Sequence, residues 1–370
     1  MIYLIFVLLV ISSICFPKSK IITVLWGVYL GINVVCTTQS ADVVALEYRY
    51  TVHGFSDFPA LFRELMRICA ENGLTFLQVK LVYIGIVVLL LFFTLRIGTQ
   101  YTAFCMMLIS IYPGWCFSGQ IRNTLGAAIV VSGIVYVIKS DYKHKKLVYI
   151  ACVILASLLH PACIIYLSIL YCLKEQTNIS AKVIIGLIFL ALVLYSDGLY
   201  QIVSLFLHDE RILKYLKAGF TSNLFGSVMV AGGQLIWTFF AIRQLKKAKN
   251  KSIESGGWFS VAHYDLIIRI NKVFLILVPF YGINHAIFRI YKYLLIINYC
   301  FLSEDCYSKR QSSFPVSKFY NGRLIKINNL GTLLLLVFLS LVVQVTVDGG
   351  IGDVLKLFEN LDFSQIGQIF

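Results

Sequence analysis

The sequence predicts an all-α, polytopic integral membrane protein with about twelve transmembrane or partly spanning helices. Three observations carry this. Hydrophobic residues make up 59% of the 370-residue chain and charged residues 14%, with a mean hydropathy of +0.83; a soluble domain of this size carries about 25% charged residues. Several apolar runs approach the ~20 residues that cross a bilayer as a helix, and they are continuous rather than alternating, which argues against a β-barrel. The Lys and Arg residues cluster in short connectors between those runs, as the positive-inside rule expects.

In chain order, the apolar runs place helices near 2–16, 21–38, 79–95, 101–117, 121–138, 147–159, 161–173, 183–200, 225–242, 265–283, 288–303 and 328–347. The pair 147–159 and 161–173 is short for full spans and reads as a hairpin of tilted helices or one broken element. The first run, Met1 to Phe16, has its lysines (Lys18, Lys20) after it rather than before it, which favours a retained helix with its N-terminus outside over a cleaved leader. That orientation puts Arg96, Lys139 to Lys146, Arg243 to Lys251 and Lys309 to Lys326 inside, and Asp42, Glu47, Asp57, Asp209, Glu210, Asp348 and Glu359 outside.

The whole chain reads as a single transmembrane domain, with outer loops near 39–79 and 201–224 and inner loops near 243–264 and 304–327. Within the first outer loop, Phe58 to Met66 has the pattern of an amphipathic helix with Pro59 in its first turn. The inner stretch Lys246 to His263 is basic, contains Gly256-Gly257 and reads as a flexible loop. The net charge of +14 invites a nucleic-acid partner. The confinement of the basic residues to connectors excludes it. The ten cysteines contain no CxxC pair and lie mostly in apolar runs, where cysteine behaves as a small hydrophobe. No metal site, phosphate-binding loop or nucleotide motif is present, and no cofactor is expected.

Three clusters of cationic or titratable residues fall at the outer ends of helices. Gln120, Arg122 and Asn123 open one helix. A helix N-terminus offers free N–H groups and a positive dipole end, and arginine adds a planar fork that matches phosphate oxygens; the alternative is an interfacial arginine reaching for headgroups. His160, before Pro161, closes the next apolar run, either as a base, relay or donor or as a helix-end histidine bonded to a carbonyl. His285, Arg289 and Lys292 fall on one helical face beside Tyr291 and Tyr293, a surface suited to phosphate and sugar rings or, alternatively, an aromatic belt with snorkelling cations. Asp42 and Glu47 are the outer carboxylates best placed to act as a base, with Tyr48 nearby. Together these residues describe an outward-facing site for a phosphorylated, membrane-held substrate.

This ordered set resembles the EpsG-like, Wzy-type polymerases of bacterial O-antigens and exopolysaccharides. The features that carry the resemblance are a Met-Ile-Tyr start, a second helix leading to an outer loop with Asp42 and Tyr48, Gln120-Ile121-Arg122-Asn123 opening a helix, the lysine-rich turn, His160, and Arg289 with Tyr291 and Tyr293. The resemblance implies a GT-C-like glycosyltransferase of the bacterial inner membrane, with its site facing the periplasm or cell exterior. Its donor and acceptor would both be undecaprenyl-diphosphate-linked repeat units, and a chain-length regulator and a flippase would be its protein partners. Arg122, His160 and Arg289 would then be catalytic, and Asp42, Glu47, Tyr48, Gln120, Asn123, His285, Tyr291, Lys292 and Tyr293 would bind substrate. Competing classes are a lipid-linked oligosaccharide flippase or transporter, an O-antigen ligase and an O-acyltransferase.

Overall fold

A computed structural model of the chain describes residues 2–37, 41–174, 224–255, 258–282 and 287–307, with isolated helical positions at 182, 183, 186 and 205 and within 331–340. The expected helices 183–200 and 328–347 and the connectors 201–224 and 308–327 therefore lie wholly or largely outside the described residues. Every regular element described is helical. In order these are α1 (Ile2–Cys15), α2 (Lys20–Cys36), α3 (Ala41–Thr51), α4 (Ala60–Glu71), α5 (Phe76–Gly98), α6 (Thr102–Ile111), α7 (Ile121–Lys139), α8 (Lys145–Leu159), α9 (Ile169–Cys172), α10 (Leu224–Ser255), α11 (Val261–Val273) and α12 (Phe288–Tyr307). Short 3-10 helices occupy Gly114–Phe117, Pro161–Ser168 and Phe274–Gly282.

Among the described residues, three helices are long and apolar enough to cross a membrane: Phe76–Gly98, Ile121–Lys139 and the Val228–Ile253 part of α10. Leucines, isoleucines and valines at 4, 8, 21, 24, 28, 82, 86 and 89 are exposed on α1, α2 and α5, the pattern of helices whose outer faces meet lipid rather than water. α7 sits at the centre and is the most enclosed of the three spans.

Two glycines bring α7 and α8 together. A Cβ on Gly126 would lie 2.9 Å from Cys163 Sγ and 3.2 Å from the Ala156 carbonyl, and one on Gly133 would lie 3.1 Å from Cys152 Cβ. Small residues spaced along one face allow this close approach, which is how helices associate where water gives no hydrophobic drive between them. The seam fixes the end of α7 that carries Arg122 relative to the end of α8 that carries His160.

Several expectations are corrected in detail. The chain from Ala41 to Thr51, read as loop, is a helix, because Val43, Leu46 and Tyr50 recur at helical spacing and Val43 and Tyr50 are buried. Pro59 caps α4 instead of sitting in its first turn. The stretch 246–255, the first part of the inner run read as flexible loop, continues α10: it contains no Gly or Pro before Gly256. Residues 304–307, placed in the next inner loop, likewise extend α12. The predicted helix 265–283 begins earlier, at a Ser260 capping box, and turns to 3-10 geometry from Phe274 ahead of Pro279.

A buried lysine positions the chain between α2 and α3. Lys80, 2% exposed, donates at 2.7 Å to the carbonyls of both Val35 and Thr37, closing the C-terminus of α2. Those carbonyls have no helical donor of their own, and a cation suits the negative end of the dipole. Lys80→Met should remove two charge-assisted bonds and leave buried carbonyls unpaired, at a cost of about 1.5–3 kcal/mol. A lowered thermal midpoint of the detergent-purified protein would register it; an unchanged midpoint would mean that these bonds do not hold α2.

At the opposite end of the bundle, α12 is tied to its neighbours. Glu304 accepts from Thr99 Oγ1 at 3.0 Å and the Gln100 N–H at 2.8 Å, Asp305 meets Lys251 Nζ at 2.6 Å, and Lys139 donates to the Trp258 carbonyl at 2.8 Å. α7 spans roughly 26 Å from Arg122 to Lys139 at 1.5 Å per residue, so this cluster lies close to a membrane's thickness from Arg122.

Candidate active site

α7 begins where the backbone allows it. Gly119 precedes Gln120, whose φ of −122° and ψ of 46° are non-helical, and no side chain caps the helix. The first-turn N–H groups of α7 therefore have no partner within the helix. The Gln120 side chain instead accepts from Tyr293 Oη at 3.3 Å, and Tyr293 Oη is also 2.7 Å from Thr124 Oγ1. Phe117 stacks on the Tyr293 ring, and its carbonyl accepts from Tyr83 Oη at 3.1 Å. This packed aromatic layer supports the start of α7 from beneath.

The start of α7 opens onto a cavity of about 270 Å3. Gly119, Gln120, Ile121, Arg122 and Asn123 form one wall. His160 joins from the end of α8, Arg289 from the first turn of α12, and Asp42, Ala45, Leu46 and Arg49 from α3. These last four are spaced i, i+3, i+4 and i+7, one face of a helix. Phe58 completes the lining.

Local sequence explains each placement. The residue before a proline is driven out of the helical region, and His160 accordingly leaves α8 with φ −147° and ψ 109°, turning its ring towards the cavity. Its N–H still closes α8 through the Ala156 carbonyl at 2.8 Å, while Nδ1 is buried without a hydrogen-bond partner. Burial first, then the nearby Arg122 and Arg289 cations, lower the His160 pKa from 6.5 to about 4. The imidazole is neutral at ordinary pH, with a lone pair available.

Arg122 is held by rings rather than by carboxylates. Its guanidinium carbon lies 5.1 Å from the Phe58 ring centre and 5.7 Å from that of Phe62 on α4, within cation–π range. Arg289 Nη2 lies 3.9 Å from Asp42 Oδ2, and Arg49 Nη1 lies 3.9 Å from Asp57 Oδ2. Partly exposed ion pairs of this kind contribute ~0–1 kcal/mol. Among the described lining residues, three guanidiniums face one carboxylate, an excess of two positive charges. Such an excess in a half-enclosed cavity suits a polyanion.

Of the residues singled out in the sequence, Arg122, His160, Arg289, Asp42, Gln120 and Asn123 come together around this cavity. The others do not reach it. Glu47 and Tyr48 lie on other faces of α3, with Tyr48 68% exposed. Lys292 does not share the cavity face with Arg289. Tyr291, Lys292 and Tyr293 are at most 1% exposed, packed inside the bundle where no sugar ring reaches them. Tyr291 Oη pairs with Thr238 Oγ1, and Lys292 Nζ lies 5.4 Å from the Tyr293 ring centre. Full helical continuity of α12 through a closed bundle accounts for this, since three consecutive residues cannot all face one cavity. His285 lies outside the described residues. Sequence reading missed Arg49, Phe58, Phe62 and Thr124 as parts of the site.

A sequence model of the EpsG family matches residues 39–346. The chain belongs to the EpsG family. The match begins just ahead of α3 and so takes in every lining residue of the cavity. No curated protein and no solved structure matches the chain. Membership in the EpsG family accords with the membrane-spanning helices and carries the expectation of a polysaccharide polymerase.

Proposed function

We propose that this EpsG-family protein is a membrane glycosyltransferase that joins lipid-diphosphate-linked oligosaccharide repeat units into a surface polysaccharide. In this reading it has about twelve spanning or partly spanning helices in a GT-C-like arrangement, sits in the bacterial inner membrane and opens its site to the periplasmic side. The carrying observation is the cavity in which Arg122, Arg289 and a neutral His160, whose Nδ1 has no hydrogen-bond partner, meet at one end of the bundle.

In the transfer, a hydroxyl oxygen of the acceptor unit attacks the anomeric carbon of the donor glycan. The bond from that carbon to the lipid diphosphate breaks, and the diphosphate leaves with the bonding pair. Negative charge grows on the leaving oxygen, where preorganised cations lower the barrier most; Arg122, Arg289 and the positive dipole end of α7 are arranged for this. The hydroxyl proton passes to a base, and His160 is unprotonated and within the cavity. Donor and acceptor are both undecaprenyl-diphosphate-linked units, and a flippase and a chain-length regulator act beside the polymerase. No nucleotide sugar enters the scheme.

The test is reconstitution of the purified protein in liposomes with lipid-linked repeat units. A ladder of products two, three and more units long is expected. Recovery of single units alone would refute the polymerase reading, and their appearance on the opposite leaflet would point to a flippase.

A further inference from the structure

We propose that α3 contributes a third anion-binding side chain, Arg49, and that Asp42 on the same face is a stand-in anion that the substrate's phosphate displaces from Arg289. The identity of the anion as a diphosphate rests on the reading above; the roles of Arg49 and Asp42 rest on geometry.

Asp42 and Arg49 are two turns apart on the cavity face of α3. The Phe58 ring brings Arg49 beside the α7 wall: the Arg49 guanidinium carbon is 5.4 Å from its centre and that of Arg122 is 5.1 Å from it. One apolar ring therefore carries two like charges at a single cavity rim. Their repulsion is offset only in part by the ring and is relieved by an anion placed between them.

The ion contacts that α3 makes are long. Both lie at 3.9 Å, about 1 Å longer than the direct N–H···O bonds that arginine makes to a seated carboxylate or phosphate. Both involve partly exposed carboxylates, so little is lost when a better ligand replaces them. The excess of two positive charges equals the charge of a diphosphate diester, and releasing Arg289 from Asp42 strengthens the site as that ligand enters. Asp42 is then a counter-ion and not the base, which leaves that task to His160.

The experiment is calorimetric titration of the full chain in phosphatidylcholine nanodiscs, which offer no anionic headgroup, with farnesyl diphosphate and, separately, inorganic phosphate. Arg49→Ala should weaken diphosphate binding by roughly tenfold to a hundredfold, Arg49→Lys by less, since ammonium lacks the bidentate fork. Asp42→Asn should tighten it several-fold, and Arg63→Ala, outside the cavity, should leave it unchanged. A wild type that binds phosphate as well as diphosphate, an Arg49→Ala protein with wild-type affinity, or an Asp42→Asn protein with weaker binding would each overturn the proposal. Because Asp42→Asn is expected to gain affinity, misfolding cannot imitate the result. Loss of binding in Arg122→Ala but not in Arg49→Ala would sink this inference alone. Binding as expected in every variant, with normal polymer in cells carrying Arg122→Ala, would sink the polymerase reading alone.

Discussion

Arg122→Ala is expected to abolish long-chain polysaccharide in the producing cell while leaving glycan one repeat unit long. The residue combines three properties that its neighbours share only in part: it lines the cavity, it stands in the first turn of α7, and its guanidinium rests on Phe58 and Phe62. In the proposed transfer, removing it would take away a fixed charge where the leaving diphosphate develops its own, and losses of about 100- to 1000-fold in turnover follow from removing one such group. Arg122→Lys keeps the charge but loses the planar fork and much of the ring stacking, so shortened chains are expected in place of none. Electrophoresis of the surface glycan reads both outcomes, and a normal ladder from the alanine variant would end the assignment of Arg122.

His160→Gln should lower turnover by about 100- to 10 000-fold and should also alter the pH response. In the empty site the His160 pKa is lowered from 6.5 to about 4, by burial and then by Arg122 and Arg289. A bound diphosphate neutralises those two cations, so the pKa rises in the complex while the burial contribution stays. The acid limb of kcat/KM should therefore lie near pH 4, with that of kcat above it. The same shift acts on stability. The folded pKa is lower than the unfolded one, so the unfolded chain takes up a proton first and stability falls as pH drops from about 6.5 towards about 4. His160→Gln should flatten that decline in a thermal melt. Coincident acid limbs for kcat and kcat/KM, with an unaltered melt, would remove His160 as the titrating base.

Much of the site was legible in the sequence because bilayers penalise charge in a readable way. Arg122 and His160 stood at the ends of apolar runs, and the lysine turn from Lys139 to Lys146 put those ends on one side of the membrane. Arg49 was not found because 41–51 carries Asp42, Glu47 and Arg49 within eleven residues and reads as polar loop; only its 3.6-residue period, with Asp42 and Arg49 seven apart, reveals a helix face. The opposite error arose at Tyr291 to Tyr293. Aromatic and cationic residues near a helix start look like an interfacial belt, yet in α12 they are core, because burial depends on neighbouring helices that one segment's composition does not report. Phe58 and Phe62 escaped for the same reason: a ring becomes a cation's partner only through tertiary contact with Arg122.

The glycine seam between α7 and α8 bears on how the proposed polymerase would repeat its reaction. At Gly126 the two helices approach within the space of a missing methyl group, which fixes the spacing of the helix ends that carry Arg122 and His160. Across the cavity stands α3, anchored by buried Val43 and by Tyr50, whose Oη donates to the Leu74 carbonyl at 2.7 Å, and meeting the cavity through ion contacts at 3.9 Å. In the proposed reaction the lengthened glycan would shift by one unit after each addition, and a fixed spacing of Arg122 and His160 would present the next acceptor with the same geometry in every round.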